Sequence, residues 1–322
     1  MQPVGTSSLG LDSSATPILH FRCHSHDFQS LTRNWAVCQN HFQRLCSPVS
    51  SDVQPSTTSQ CLAYVTSSLV KVYDCLNSTW SWHPLTSSIT VDDDSQYLWV
   101  DTALFCSGGN SEVGKEGKAE SYLLGSGNEW TVTRLADMLV PRGHHGLWYQ
   151  SAHLSVLVFG GLTGSGIVYS ECRKECELLN LQTGIWRAIS NMHESRAYLH
   201  PCEFVGIVYL CGALSSIMEA YNPNTEAFLS YHYLLPESAL CFAFEEKGQL
   251  VVLSTNQMSK WGSVAGQQLM QLSNTRNNKT TLFGNMRPVL DPGKGLVYVS
   301  LGGRFFSVKL DGSEQRVIQE DK

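Results

Sequence analysis

Cysteine and histidine residues near the N-terminus have a spacing that could hold a metal ion. Two residues separate Cys23 from His26, and two separate Cys38 from His41. Two Cys/His pairs of this kind supply the four sulfur and nitrogen ligands of a tetrahedral zinc site. The alternative is an amphipathic helix over residues 27–46, in which Cys38 is simply one apolar position. Both interpretations stay open, and zinc is the one cofactor that the sequence suggests.

Two other segments resemble ligand-binding motifs but lack a component. Residues 109–115 have the spacing of a phosphate-binding loop (glycine, four residues, glycine, lysine), but Glu116 stands where that loop has Ser or Thr. Cys172 and Cys176 are separated by three residues, and no second Cys/His pair nearby would complete a metal site. We therefore interpret both segments as solvated loops.

The adjacent residues His144 and His145 are candidates for acid–base chemistry, because imidazole titrates near neutral pH. No carboxylate or nucleophile accompanies them in a recognisable motif, and the chain contains no HExxH or GxSxG sequence. A role in the structure or in a binding pocket is the better interpretation. We therefore expect that the protein is not an enzyme.

The composition excludes several classes of function. Of the 322 residues, 42% are hydrophobic and 16% are charged, and the net charge of -6 argues against a surface for nucleic-acid phosphates or anionic lipid. No apolar run is long enough to span a membrane, and the first residues lack the basic start and apolar core of a secretion signal. We expect a cytoplasmic protein whose eleven cysteines are reduced thiols, several of them small core residues.

Short apolar runs recur along the chain and predict buried β-strands. Each run has four to six residues and is rich in Val, Leu, Tyr and Phe, which is too short for a helix. The starts of the runs are about 40 to 55 residues apart, which is the spacing of propeller blades. The runs comprise residues 61–65, 103–106, 154–159, 207–211, 250–253 and 296–300.

Three markers accompany these runs in a fixed order. A glycine pair or another small, turn-forming pair follows most runs, as Gly160 and Gly161 follow residues 154–159. An Asx turn comes next and leads to an aromatic residue, as Asn180 leads to Trp186. An arginine precedes some of the repeats, and the arginines concerned are Arg142, Arg196 and Arg287.

The order of these markers resembles the kelch repeat of β-propellers, which is loosely an arginine, a strand, a Gly-Gly pair, a Tyr-Asp pair and a tryptophan. The fit is best over residues 140–193 and poor over residues 236–276, which have no glycine pair. The resemblance implies an all-β fold, a six-bladed kelch-type β-propeller over residues 48–322, since these 275 residues give six blades of roughly 46 residues.

Residues 27–46 break the strand pattern, and we expect an amphipathic helix there, within a short N-terminal extension over residues 1–47. Apolar residues recur there at alternating steps of three and four, which places them on one face of an amphipathic helix. These residues are Phe28, Leu31, Trp35, Cys38, Phe42 and Leu45.

The resemblance also implies a function. Kelch propellers often bind partner peptides on the face where loops meet the central channel, so we expect a protein-interaction or scaffold module with a protein or peptide partner. The residues at the corresponding positions are Arg142, Arg196, Arg287, Asn110, His144 and Ser215. Arginine side chains would suit an acidic peptide. The alternative for the arginines is that they tie adjacent blades together through carbonyl or carboxylate groups.

Two other functions stay open. One is a metal-dependent propeller enzyme. Galactose-oxidase-type kelch enzymes bind copper through a set of tyrosines, histidines and a cysteine, and we recognise no such set in the sequence. The other is a degenerate propeller that serves only as structural packing in a larger assembly. We expect neither a nucleic-acid partner nor a membrane partner.

Overall fold

A computed structural model of the chain shows an all-β fold of the β-propeller type. It describes residues 61–109, 117–125, 129–163, 171–212, 217–229, 233–234, 241–246, 249–254, 257–264, 268–276, 288–291, 293–301, 304–309 and 315–318. The predicted N-terminal helix lies outside these residues. Within them, the helical structure is limited to one turn of 3-10 helix at Ser151–His153.

The first three sheets contain antiparallel strands that pair mostly in chain order. Sheet 1 consists of β1 (Cys61–Val65), β2 (Leu69–Asp74) and β3 (Thr79–Pro84). Sheet 2 consists of β4 (Gln96–Val100), β5 (Ala103–Ser107), β6 (Ser121–Gly125) and β7 (Thr131–Arg134). Sheet 3 consists of β8 (Gly146–Gln150), β9 (Ser155–Phe159), β12 (Cys176–Asn180) and β13 (Ile185–Ile189). The chain segment that connects β9 to β12 forms a separate two-stranded ribbon of β10 (Leu162–Thr163) and β11 (Glu171–Cys172).

The remaining three sheets have the same antiparallel arrangement. Sheet 4 consists of β14 (Cys202–Phe204), β15 (Ile207–Leu210), β16 (Ile217–Asn222) and β17 (Ala227–Phe228), and β18 (Tyr233–Leu234) also pairs with β16. Sheet 5 consists of β19 (Cys241–Glu246), β20 (Gln249–Ser254), β21 (Gln257–Val264) and β22 (Gln268–Arg276). Sheet 6 consists of β23 (Val289–Asp291), β24 (Leu296–Leu301), β25 (Arg304–Lys309) and β26 (Gln315–Ile318).

Five of these sheets have the four strands of a complete blade, so the prediction of six blades is wrong. Sheet 1 has three strands, and they correspond to the second, third and fourth strands of the other sheets. Asp74 ends β2 and accepts hydrogen bonds from the amides of the following turn, as Asn180 does at the end of β12, the third strand of sheet 3. Sheet 1 therefore lacks the first strand, which none of the described residues supplies.

The six apolar runs all form strands at the predicted positions, namely β1, β5, β9, β15, β20 and β24. In each four-stranded sheet the run forms the second strand, which has a neighbouring strand on both edges. Every residue of β5 and of β9 is buried. A strand covered on both faces needs apolar side chains at every position, which explains uninterrupted runs in place of alternation.

Apolar side chains pack neighbouring sheets against each other, from sheet 6 through sheets 1, 2, 3 and 4 to sheet 5. One cluster joins sheets 1, 2 and 6, and in it the ring centroid of Tyr73 lies 6.0 Å from that of Tyr298. Further clusters join sheet 2 to sheet 3, sheet 3 to sheet 4, and sheet 4 to sheet 5. The first strands of neighbouring sheets contact each other, as β4 does β8 and β14 does β19, so the first strands lie nearest the axis of the ring.

The turn after the second strand requires glycine for two reasons at Gly108. Its φ is +64°, and a Cβ atom there would lie 2.2 Å from the carbonyl oxygen of Arg142 in the connection to sheet 3. Gly184, in the turn between β12 and β13, also has a positive φ (+68°), but no atom lies within 4 Å of a Cβ placed there. Comparing substitutions at the two glycines therefore separates the energetic cost of the positive φ from that of the steric clash with a neighbouring atom.

We predict that Gly108→Ala destabilises the protein more than Gly184→Ala. The left-handed conformation costs an alanine about 1 kcal/mol at either position, and the clash with the carbonyl group adds about 2 kcal/mol at position 108 alone. Urea denaturation followed by tryptophan fluorescence would measure both losses. Equal losses would show that the close packing of this turn contributes nothing.

Candidate functional site

Arg142 lies in the connection between sheets 2 and 3, and its side chain is fully buried (0% exposed). The guanidinium donates hydrogen bonds to the carbonyl oxygens of Gly160 and Glu175, each at 2.7 Å, and pairs with Glu177 at 2.5 Å. The carbonyl oxygen of Arg142 accepts a hydrogen bond of 3.0 Å from the amide of Gly109 in sheet 2. This residue therefore binds sheet 2 through its backbone and sheet 3 through its side chain.

Arg196 repeats this arrangement one sheet further along the ring, and it is also fully buried (0% exposed). Its guanidinium pairs with Glu219 at 2.6 Å and donates a hydrogen bond of 2.5 Å to the carbonyl oxygen of Ile217, both in sheet 4. Its carbonyl oxygen accepts a hydrogen bond of 3.0 Å from the amide of Gly161, next to sheet 3. Arg196 therefore connects sheets 3 and 4.

Several hydrogen-bond donors surround each of the buried partner carboxylates. Glu177 accepts two backbone N–H bonds, at 2.7 and 3.0 Å, in addition to its bond with Arg142. Burial alone would raise the pKa of Glu219, but the hydrogen bonds from His193 and the charge of Arg196 outweigh it, so this pKa lies below that of an ordinary glutamate. The carboxylate of Glu219 is therefore ionised at neutral pH.

The two arginines offer no exposed surface to a partner. Of the two interpretations of the sequence, the geometry supports the one in which they tie adjacent blades together. The expectation of an acidic partner rested on accessible guanidinium groups, which burial removes at both positions. Arg287, Asn110 and Ser215 lie outside the described residues, as do Cys23, His26, Cys38 and His41 of the predicted zinc site.

His144 keeps part of its side chain exposed, and residues from two neighbouring sheets contact it. Its Nε2 atom lies 2.8 Å from Oδ1 of Asp94, and its ring packs against Tyr198 with the centroids 4.2 Å apart. Asp94, His144 and Tyr198 precede β4, β8 and β14, the first strands of three successive sheets. Since the first strands lie nearest the axis, these three residues lie at one mouth of the central channel, and we name them the hub cluster.

Backbone hydrogen bonds hold the hub cluster in place. The amide of His144 donates to the carbonyl oxygen of Asp94 at 3.1 Å, and the amide of Tyr198 donates to the carbonyl oxygen of His144 at 2.8 Å. His144 and Tyr198 have φ values of 51° and 55°, a region that residues other than glycine rarely adopt. Strain of this kind costs about 1–3 kcal/mol per residue and is concentrated at functional sites.

Charged and aromatic side chains of sheets 1 and 2 lie beside the hub cluster. Asp93 accepts a hydrogen bond of 3.0 Å from the hydroxyl group of Tyr64, and Asp92 pairs with Lys118 at 2.7 Å. Asp92 and Lys118 are partly exposed. The mouth of the channel therefore presents side chains of both charges together with aromatic rings.

His145 points into the interior, in contrast to His144. Its side chain is buried, and its Nε2 atom lies 2.9 Å from Oγ of Ser107, which is also buried. Burial and then the charge of Arg142 lower the pKa of His145 well below its usual value. His145 is therefore a neutral core residue, which agrees with the structural role predicted for one of the two histidines.

The cysteines whose side chains the structure describes are free thiols. Cys176 is buried in β12, so the prediction that it lies in a solvated loop is wrong. Burial raises the pKa of Cys176 to about 12 and also raises that of Cys172. Protonated thiols are poor nucleophiles and poor metal ligands. The described residues contain no group of three or more His, Cys, Asp or Glu side chains that could hold a metal ion.

Two members of the hub cluster were not predicted from the sequence. Tyr198 follows Arg196 by two residues, as His144 follows Arg142, so this shared offset is a signal that would have found it. Asp94 has no arginine before it, since Asp92 stands at that position. Only the fold shows that Asp94 is equivalent to the other two residues.

Comparison with known proteins adds no family to this description. No protein-family model matches the chain, and no curated protein matches it. Among the described residues, no helix has the length and apolar character needed to cross a membrane.

We predict that Arg142→Met destabilises the protein by about 3–5 kcal/mol, because it leaves the carboxylate of Glu177 buried without its partner. The matched control is Arg134→Met, which removes an exposed arginine paired with Asp137 at 2.6 Å. An exposed pair of this kind contributes less than about 1 kcal/mol. Chemical denaturation of both variants would measure the difference, and a small loss for Arg142→Met would contradict the role assigned to the buried pair.

We also predict that stability declines on the acid side through Glu219. The folded state lowers the pKa of Glu219, so the stability it contributes is complete above the pKa of an unfolded glutamate. This contribution is lost as the pH falls from that value through the lower folded pKa. The difference in unfolding free energy between the wild type and Glu219→Gln should therefore narrow as the pH falls. A constant difference across this range would contradict the ionised pair.

Proposed function

We propose that this protein is an interaction module that binds a partner protein or peptide at the channel mouth formed by the hub cluster. β-Propellers commonly serve as interaction scaffolds, because loops at a face can vary without disturbing the sheets. The observation that carries the proposal is the convergence of Asp94, His144 and Tyr198 from three successive sheets, with side chains that remain partly exposed.

The hub cluster has the chemistry that partner recognition requires. Tyr198 provides an aromatic surface with a hydroxyl group, and aromatic residues of this type dominate binding hot spots. His144 and Asp94 add groups that donate and accept hydrogen bonds. Because backbone hydrogen bonds already hold these residues, a partner would have little conformational entropy to remove on binding.

The buried arginines are positioning residues in this proposal. Arg142 and Arg196 each precede a member of the hub cluster by two residues, and each ties that segment to the next sheet. They support binding by holding His144 and Tyr198 in place. They do not contact the partner themselves.

The kelch type of the repeat, the cytoplasmic location and the absence of enzymatic activity belong to the same proposal. Sheet 3 supports the kelch type, because it has the arginine, the glycine pair, the Asx turn and the tryptophan in order. The free thiols of the described cysteines support a reducing compartment. A metal-dependent enzyme is the alternative, and stoichiometric copper or iron in the purified chain, measured by mass spectrometry, would favour it.

We predict that the double variant His144→Asn/Tyr198→Asn loses partner binding while the fold is preserved. Asparagine tolerates the left-handed conformation better than most residues, so the backbone strain changes little. Proximity labelling in cells would identify proteins near the wild-type chain, and binding of each candidate would then be measured with purified chains. We expect the double variant to bind its partner at least about tenfold more weakly than the wild type does.

The matched control for this prediction is Val317→Ser, which changes an exposed residue in the outermost strand of sheet 6. It should leave both labelling and affinity unchanged. Partners that bind the double variant as tightly as the wild type would show that the hub cluster is not the site. An absence of any specific partner would favour a purely structural propeller.

A further inference from the structure

We infer a second binding site, on the opposite face of the propeller, that takes an extended and uncharged peptide segment. A groove of about 640 Å³ lies there between the turns of sheets 3 and 4. This volume is within the range of pockets that bind small molecules. The site does not depend on the proposed function, because it shares no residue with the hub cluster.

The direction of the strands places the groove on the other face. Ser155 and Asn180 line the groove, and they begin β9 and end β12 at one end of sheet 3. Gly160 follows β9 and contacts Arg142 at the other end of the sheet, where the hub cluster lies. The length of the strands therefore separates the two sites.

Side-chain amides are the main polar groups of the groove, and they are Gln150, Asn180, Gln182 and Asn224. Each side-chain amide carries both a donor and an acceptor, which is the same pattern that a peptide group presents. The oxygen of Asn180 is already used by the amides of Gln182 and Thr183. Within the described residues the side-chain amides of the other three make no hydrogen bond, so they are available to a ligand.

The charged groups of the groove neutralise each other. Arg187 forms an ion pair with Glu226, and hydrogen bonding with Arg187 lowers the pKa of Glu226. The hydroxyl group of Ser190 donates a hydrogen bond of 2.8 Å to the carbonyl oxygen of Glu226, which fixes the wall of the groove. The two opposite charges leave no net charge from this pair in the groove, so an uncharged ligand fits best.

A peptide fits these residues better than a carbohydrate does. The lining residues include no Phe, Tyr or Trp. A sugar would need such an aromatic surface for the apolar face of its ring, whereas a peptide backbone needs only donors and acceptors. The apolar residues Ala152, Leu154 and Leu178 provide the contact that its side chains need.

The test selects random heptapeptides displayed on phage for binding to the immobilised full chain. Fluorescence anisotropy then measures the affinity of the selected peptides. The groove variant is Gln182→Ala/Asn224→Ala, which shortens two exposed side chains. We expect this variant to bind about tenfold more weakly, the effect of losing two neutral hydrogen bonds, with an unchanged urea midpoint. Added salt should leave the affinity unchanged, because screening acts on charged contacts.

The matched control is His144→Asn/Tyr198→Asn, which should change the affinity of these peptides by less than about twofold because it alters the other face. Peptides that require the hub cluster, and bind the groove variant normally, would overturn the second site while leaving the proposed function intact. Selection of charged, salt-sensitive peptides alone would also overturn it. The second site would also be overturned if maltotriose bound to the groove and no selected peptide had an affinity that depends on Gln182 and Asn224.

Discussion

The burial of two arginine side chains is the constraint on which the arrangement of sheets 2, 3 and 4 depends. A guanidinium group without water must find carbonyl or carboxylate acceptors for its N–H groups, or its desolvation is very unfavourable. Arg142 and Arg196 find these acceptors in the sheet that follows them, while their own carbonyl oxygens accept from the sheet that precedes them. These hydrogen bonds form only where sheets 2, 3 and 4 stand side by side, and Nε of Arg196 is the one guanidinium nitrogen of the two residues that has no partner among the described residues.

This constraint also determines what each face of the propeller displays. The segment after each buried arginine must turn sharply at the hub, and it does so with a positive φ at His144 and Tyr198. Asp92 takes the place of the arginine in sheet 2, where it pairs with Lys118 at the surface. The hub cluster thus combines two strained residues held by buried ion pairs with one aspartate held by backbone hydrogen bonds. On the other face, the turns of sheets 3 and 4 line a groove rich in side-chain amides.

Most of the fold was predictable because local patterns produced it. The apolar runs became strands, and the Asx turns opened by Asp74 and Asn180 have the predicted hydrogen bonds. Trp186 packs between sheets and donates a hydrogen bond of 2.8 Å to the carbonyl oxygen of Ala136, as expected of an aromatic residue after such a turn. The number of complete blades was not predictable, because dividing the chain length by a blade length assumes that each blade has all its strands. Sheet 1 has three of them among the described residues.

The sequence by itself determined the class of the fold, since short apolar runs, glycine pairs and Asx turns act over a few neighbouring residues. Only the tertiary structure decided whether a given polar side chain serves the interior or the surface. Arg142 and His144 are two residues apart, yet one is fully buried and the other partly exposed. The side chain of Arg142 has its partners at β12 within sheet 3, namely Glu175 and Glu177. The partners of His144 are Asp94 and Tyr198, which precede the first strands of sheets 2 and 4. Contacts between residues far apart in the chain leave no local pattern, so burial and charge pairing had to be seen in three dimensions.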